Sequence, residues 1–215
     1  MTDHASEHVD SALDKLKTMI EQAPDADMLP RKPGTTLDGG IHFKTGVPKR
    51  YRANWHRPDN SDWVGKFDGV CGKVKSGGIV SLIGPRGTGK TRLACECMRD
   101  IAPELGLYTT AMGLFLRLRA TYQKNSTEAE VEVVELLSKA KLLVIDEIQE
   151  RGNSAWEDRL LTHILDKRYG ALLPTIVVAN LTEAALAECL GDSIVSRLQE
   201  TGGVLHVDGK SHRSM

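Results

Sequence analysis

Long hydrophobic runs are missing from this 215-residue sequence. No apolar stretch approaches the ~18 residues that a transmembrane helix needs, so we expect no membrane span. The first ten residues, MTDHASEHVD, are acidic and lack the apolar core of a secretory signal peptide. These absences predict a cytoplasmic protein without a membrane partner.

Cysteine pairs at metal-binding spacing are also missing. The four cysteines form no C-x-x-C motif, so we expect reduced, mostly buried side chains rather than zinc ligands or disulfides. The cysteines are Cys71, Cys95, Cys97 and Cys189. A hydrophobic content of 40% and a charged content of 27% are ordinary for a globular chain. The length suits one α/β domain with a short appendage.

The predicted appendage is an N-terminal arm, residues 1–43. One stripe of apolar side chains predicts an amphipathic helix within residues 7–22. The stripe consists of Val9, Leu13, Leu16 and Ile20. Prolines and glycines in residues 28–46 then predict a linker. Because an isolated helix of this length is marginal in water, its stripe needs a surface, either on the body of this protein or on a partner.

The strongest motif is the glycine-rich stretch GPRGTGKT, which fits G-x-x-x-x-G-K-[ST] at each fixed position. An apolar strand precedes it and a helical pattern follows, and the glycines allow main-chain N–H groups to point at phosphate. Lys90 can reach the β- and γ-phosphates of ATP, and the Thr91 hydroxyl can coordinate Mg²⁺. We therefore expect ATP and Mg²⁺ at a loop formed by Gly84, Pro85, Arg86, Gly87, Thr88, Gly89, Lys90 and Thr91.

Strands alternate with helices along most of the chain. We expect strands at residues 79–83, 107–111, 142–146, 174–180 and 204–208, and helices at residues 112–124, 128–140, 154–170, 181–191 and 192–200. Such alternation predicts a parallel sheet covered by helices on both faces. Residues 60–69, NSDWVGKFDG, precede the first strand and are interpreted as loop.

Four polar side chains lie where they could act on a bound nucleotide. Asp146 and Glu147 follow a buried strand, where Asp146 can hold Mg²⁺ and Glu147 can polarise an attacking water, although acidic residues also simply cap strands. Asn180 follows the next strand and can orient the same water, or it is a plain turn residue. Arg197 lies in a late predicted helix, either as a solvated residue or as an arginine finger offered to a neighbouring subunit.

In combination these motifs resemble an AAA+ ATPase, and in detail the DnaC-type helicase loaders and the related IstB transposition ATPases. The matching segments are GVPKRYR (46–52), LLVIDEIQ (142–149), ILDKRYGALLPTIVVAN (164–180) and GDSIVSRLQETGGVLHVDGKSHR (191–213). The resemblance implies a P-loop NTPase sandwich of three layers around a five-stranded parallel sheet, without a C-terminal lid, over residues 44–215. It also implies an ATP-bound homo-oligomer and a replicative helicase as the partner of the arm.

In loaders of this type, the helix after the second strand helps to form a track for single-stranded DNA. Basic side chains can neutralise phosphates and an aromatic ring can stack on a base. The corresponding segment here carries four candidates: Arg117, Arg119, Tyr122 and Lys124. The alternative is an amphipathic helix with a solvated basic face. A second basic stretch, residues 49–57, precedes the P-loop, where it could flank the adenine instead of binding DNA.

Three classes of function remain for such a chain. The presence of both Lys90 and Glu147 argues against a non-hydrolysing adaptor, and no arginine-rich lid of a small-molecule kinase is visible. A Mg²⁺-dependent ATPase is therefore favoured. Within that class, the short arm favours loading of a replicative helicase onto single-stranded DNA, and control of a transposase is the alternative.

Overall fold

The computed structural model describes residues 46–52 and 61–209. The arm helix expected at residues 7–22 lies outside them, as does the end of the basic stretch, residues 53–57. Across the described parts of the chain, no helix has the length and apolar character needed to cross a membrane.

One sheet of five parallel strands organises the described residues, in the order β2-β3-β4-β1-β5. The strands are β1 (Ile79–Ile83), β2 (Gly106–Thr110), β3 (Leu142–Asp146), β4 (Thr175–Val178) and β5 (Gly203–His206). The three central strands are buried along their whole length, as parallel strands covered on both faces must be. The predicted five-stranded parallel sheet is confirmed.

Helices cover both faces of this sheet. Those in the described residues are α1 (Ser61–Lys75), α2 (Lys90–Ile101), α3 (Ala111–Ala120), α4 (Glu130–Lys139), α5 (Ala155–Gly170), α6 (Glu183–Leu190) and α7 (Asp192–Thr201). The buried side chains of α1 and α2 form one apolar cluster with the sheet, and those of α3 to α7 form another. The predicted three-layer sandwich is therefore confirmed.

The interpretation of residues 60–69 as loop is wrong, because α1 begins at Ser61 and runs through most of them. Glycines suggested a turn, but they fall among apolar residues spaced four, three and four apart. These residues are Trp63, Phe67, Val70 and Val74. Trp63 stacks on Phe67 with ring centroids 5.3 Å apart, and the stripe packs on the sheet. Burial of this stripe outweighs the low helix propensity of glycine.

A fully buried arginine joins the helical layer to the sheet. The guanidinium of Arg168, near the end of α5, donates to the carbonyl oxygens of Leu137 and Ala140 at 2.8 Å each, at the end of α4. It also donates to the Thr175 hydroxyl at 2.8 Å, where β4 begins. Burial lowers the pKa of Arg168 to about 10. The side chain satisfies carbonyls that the last turn of α4 leaves unpaired, and so it fixes the start of the central strand.

The cysteines are free, and three of them are core residues. Cys71 on α1 and Cys97 on α2 approach each other with sulfur atoms 3.3 Å apart, and Cys95 is fully buried. Burial raises the pKa of the Cys95 thiol, so it stays protonated and packs as a small apolar group. The predicted reduced state with mostly buried side chains is confirmed.

Candidate nucleotide-binding site

The P-loop joins β1 to α2 at the carboxyl edge of the sheet. Gly84 and Gly89 have φ values of 137° and 95°, which favour glycine at both positions. A Cβ at Gly84 would lie 2.6 Å from the carbonyl oxygen of Val207, so the close approach of β5 also requires glycine there. α2 begins immediately afterwards at Lys90, which places its N-terminus and unpaired N–H groups beside the loop.

Lys90 is buried and its ammonium group lies within the curve of the loop. Nζ donates to the carbonyl oxygens of Gly84 and Pro85 at 2.8 and 2.6 Å. The Thr88 hydroxyl donates to the same Pro85 carbonyl at 3.0 Å and stiffens the turn. The charge of Lys90 therefore faces the inside of the loop, where a phosphate chain would bind.

Asp146, the last residue of β3, is buried and accepts three hydrogen bonds. Its Oδ2 accepts from the Thr91 hydroxyl at 2.8 Å and from the Tyr108 hydroxyl at 2.7 Å. Its Oδ1 accepts from the main-chain N–H of Glu147 at 2.8 Å. The two residues that the sequence assigned to the metal, Thr91 and Asp146, are therefore in direct contact.

These two oxygen ligands fit Mg²⁺. The ion prefers carboxylate and hydroxyl oxygens, and in nucleotide sites it uses one or two protein carboxylates together with phosphate oxygens. Among the described residues, no cluster of three or more His, Cys, Asp or Glu is arranged around a point. A site completed by the phosphates of the nucleotide is consistent with that finding.

Tyr108 was missed by the sequence reasoning. It lies on β2, which pairs with β3 in a register that places Thr110 beside Asp146. Burial, together with the charge of Asp146 and the hydrogen bond to it, raises the pKa of Tyr108, so its hydroxyl remains a donor. Only the pairing of β2 with β3 brings this tyrosine to the carboxylate, and no local pattern in the sequence indicates it.

Glu147 follows Asp146 in a left-handed conformation, with φ 53° and ψ 49°. A non-glycine residue in this region is strained, and such strain is concentrated at functional sites. The conformation separates Glu147 from the direction of β3, and its side chain is exposed whereas Asp146 is buried. One carboxylate is thus available for a metal and the next for water, as the sequence predicted.

Asn180 lies two residues beyond β4, the strand between β1 and β3. Its main-chain N–H donates to Oε1 of Gln149 at 3.2 Å, which ties it to the short 3-10 turn Ile148–Glu150 that follows Glu147. Sequence reasoning also missed Gln149. The sheet order brings Asn180 to the same edge as the P-loop and the acidic pair, and the orienting role of its amide stays a prediction.

Arg197 on α7 contacts its own subunit. Nε lies 2.9 Å from Oδ1 of Asp166 on α5, Nη1 donates to Ser193, and the guanidinium lies 5.6 Å from the ring centre of Tyr169. One turn later, the Thr201 hydroxyl accepts from the first N–H of β1 at 3.0 Å. That end of α7 is at the sheet edge opposite the P-loop, so Arg197 is directed away from the nucleotide site of its own subunit.

The DNA candidates are mostly paired with acidic residues. Arg117 bonds to Glu128, and Arg119 Nη2 lies 2.7 Å from Oε1 of buried Glu157. Tyr122 donates to Glu130 and its ring lies 6.2 Å from that of Trp156. Lys124 is exposed. The helix predicted to reach residue 124 ends at Ala120, so the last two candidates lie in a hydrogen-bonded turn. Their role in DNA binding stays a prediction.

The segment before α1 packs beside the site. Val47 is buried in the same apolar cluster as α2, and Arg99 on α2 donates to the carbonyl oxygen of Tyr51 at 2.8 Å. Arg50 lies 5.1 Å from the ring centre of Tyr51. The described part of the basic stretch is thus held against α2, and its contact with adenine stays a prediction.

A comparison with protein families identifies the kind of chain to which this geometry belongs. The family described as "IstB-like ATP binding protein" matches residues 71–215, which include the P-loop, Asp146, Asn180 and Arg197. The chain belongs to the IstB-like ATP-binding family. The suspected family is confirmed, and ATP is the nucleotide that the name of this family gives.

Curated relatives of this IstB-like chain are named as helicase loaders. It is 29% identical over 127 residues to "Replicative helicase loader DnaC" of Escherichia coli (strain K12), a match that covers 57% of this chain and 51% of the relative. The DnaC of Buchnera aphidicola subsp. Baizongia pistaciae (strain Bp) is 28% identical over 118 residues, or 54% of this chain and 48% of the relative. The chain spans about half the length of the curated relatives it matches.

Solved structures confirm the AAA+ fold. "Crystal structure of the DnaC helicase loader" matches with a TM-score of 0.61 and 22% identity, over 75% of this chain and 100% of that chain. "Replication initiator DnaA bound to AMPPCP and single-stranded DNA" matches with a TM-score of 0.60 and 16% identity, over 77% of this chain and 52% of that chain. At these identities the likeness shows the fold of the IstB-like domain.

Proposed function

We propose that this chain is a Mg²⁺-dependent ATPase that loads a replicative helicase onto single-stranded DNA as an ATP-assembled homo-oligomer. The observation that carries the ATPase part is the contact between Thr91 and Asp146, with Lys90 in the P-loop and Glu147 directly after Asp146. The similarity to proteins named as replicative helicase loaders supports the role in replication.

Hydrolysis assigns a separate task to each residue. The P-loop N–H groups and Lys90 bind the triphosphate, while Thr91 and Asp146 hold Mg²⁺, which offsets the charge that develops on the phosphates. Glu147 accepts a proton from the attacking water, and the Asn180 amide orients that water. Rate enhancement then rests on positioning and charge stabilisation.

The remaining charge stabilisation comes from a second subunit. Arg197 points away from the P-loop of its own chain, as the contact of its helix with the opposite sheet edge indicates. An arginine that reaches the γ-phosphate of a neighbour makes hydrolysis dependent on assembly. In this proposal residues 44–215 form the ATPase domain, and residues 1–43 form an arm that selects the helicase.

ATP-bound subunits are expected to bind single-stranded DNA more tightly than either ATP-free subunits or duplex. Replacing both Arg117 and Lys124 with alanine should weaken this binding and reduce its salt dependence by about 0.7 log units per lost phosphate contact. Tyr122→Ala should cost about 1–3 kcal/mol of stacking. Because Glu128 competes with phosphate for Arg117, Glu128→Gln should strengthen binding. Titration of labelled strands at several salt concentrations measures each effect.

A matched control replaces two exposed lysines on the other face of the sheet, Lys73 and Lys75 at the end of α1. This variant should bind DNA as the wild type does. Deleting residues 1–22 should end association with a replicative helicase and leave DNA binding and ATPase activity intact. Equal affinity for duplex and single strand would favour the transposase-regulating alternative, and no DNA binding with or without ATP would contradict both roles.

A further inference from the structure

Tyr108 is a buried residue that nucleotide hydrolysis in this fold does not require, yet its hydroxyl bonds to the proposed metal ligand. It donates to Oδ2 of Asp146 at 2.7 Å, and the same oxygen accepts from Thr91 at 2.8 Å. We propose that Tyr108 is a positioning residue that orients the Asp146 carboxylate and thereby sets how strongly the site holds the metal of Mg²⁺-ATP. This inference rests on the proposed ATPase function.

The geometry gives Tyr108 control over one rotation. A carboxylate at the end of a strand can turn about its χ2 torsion, which is broad and has no strong preference. Oδ1 of Asp146 is held by the N–H of Glu147, and Oδ2 is held by hydroxyls from two different elements, Thr91 on α2 and Tyr108 on β2. When Thr91 turns to a metal, Tyr108 is the side-chain donor that still fixes the carboxylate plane.

The chemical type of the donor is also suited to this role. A lysine or arginine at this position would neutralise Asp146 and compete with a divalent cation for its charge. A phenol hydroxyl orients the carboxylate and leaves its negative charge in place. Partners of this kind, which contact a metal ligand rather than the metal, typically contribute 10–100-fold to metal affinity or activity.

The tyrosine is itself held rigidly. Its ring belongs to the apolar cluster that also contains Val47, Cys95 and Val144. Its main chain is covered by Gly46, where a Cβ would lie 2.1 Å from the carbonyl oxygen of Tyr108. A ring enclosed in this way cannot swing to another acceptor, so its hydroxyl stays directed at Asp146. A buried tyrosine hydroxyl needs some partner, but any carbonyl would serve, so the choice of this carboxylate points to the site.

The test compares ATP affinity with and without Mg²⁺ in the wild type and in Tyr108→Phe. The ratio of the dissociation constant in EDTA to that in saturating Mg²⁺ reports the contacts between protein and metal. Tyr108→Phe should leave the EDTA value unchanged and lower this ratio by about tenfold or more. Because both values come from the same sample, a loss of folded protein cancels in the ratio.

Two further variants separate positioning from packing. Tyr169→Phe removes a hydroxyl that bonds to Glu200 on α7, far from the metal ligands, and it should keep the wild-type ratio. In an Asp146→Asn background, Tyr108→Phe should cause no further loss, since residues that act through one another are not additive.

An unchanged ratio in Tyr108→Phe would overturn the inference, as would an equal loss in the Asp146→Asn background, because the tyrosine would then act through the fold. A wild-type protein whose ATP affinity does not respond to Mg²⁺ would instead contradict the proposed metal site itself. The two failures are thereby distinguishable.

Discussion

Arg197→Ala is expected to bind ATP with wild-type affinity and to hydrolyse it roughly 10³-fold more slowly. The side chain is held on α7 by Asp166 and Ser193, on the part of the subunit turned away from its own P-loop. It therefore contributes nothing to ATP binding within one chain. Its charge acts on the γ-phosphate of a neighbour, where arginine fingers have their largest effect on rate.

Mixing experiments test the placement of Arg197 between subunits. Arg197→Ala keeps an intact P-loop, and Lys90→Ala keeps an intact finger, so a mixture should regain part of the activity that each lacks alone. Arg159→Ala, which removes an exposed arginine from the neighbouring α5, should hydrolyse ATP normally. If no mixing ratio restores phosphate release, the finger does not act in trans.

Glu147→Gln should keep ATP affinity and lower turnover by about 10²–10⁴-fold, since the amide cannot accept a proton from water. The exposed side chain and the left-handed main chain at this position place the carboxylate outside the metal contact, so its loss spares binding. Lys90→Ala has the opposite signature, because it removes the charge that offsets the triphosphate and should abolish binding. Equilibrium binding and single-turnover hydrolysis together distinguish the two.

Glu150→Gln provides a matched control on the same 3-10 turn. Its carboxylate pairs with Arg86 across 3.2 Å at an exposed position, and such surface pairs contribute little. This variant should hydrolyse ATP at nearly the wild-type rate. A wild-type rate in Glu147→Gln would show that the general base has been assigned to the wrong residue.

Local patterns predicted the parts of this protein in which one element carries the signal. β3 has the predicted bounds because a short run of large apolar residues ends in an acid. The P-loop was recognisable because phosphate binding requires glycine and lysine at fixed spacing. α1 was missed because its glycines conceal an apolar stripe whose burial only the folded sheet reveals.

Contacts between distant segments could not be predicted in this way. Tyr108 meets Asp146 only because β2 pairs with β3, and Gln149 meets Asn180 only because β4 lies next to β3. Arg168 was likewise invisible, since an arginine near a helix end is normally exposed. Its burial depends on carbonyl groups of another helix.

The central claim is that the ATPase site is completed by a second subunit, and phosphate release per subunit, measured over a range of protein concentrations, tests it most directly. In saturating Mg²⁺-ATP, the rate per wild-type subunit should rise with concentration and level off once light scattering shows assembled oligomers. It should stay low at every concentration for Arg197→Ala. A rate per subunit that is the same for dilute monomers and for oligomers would contradict the account.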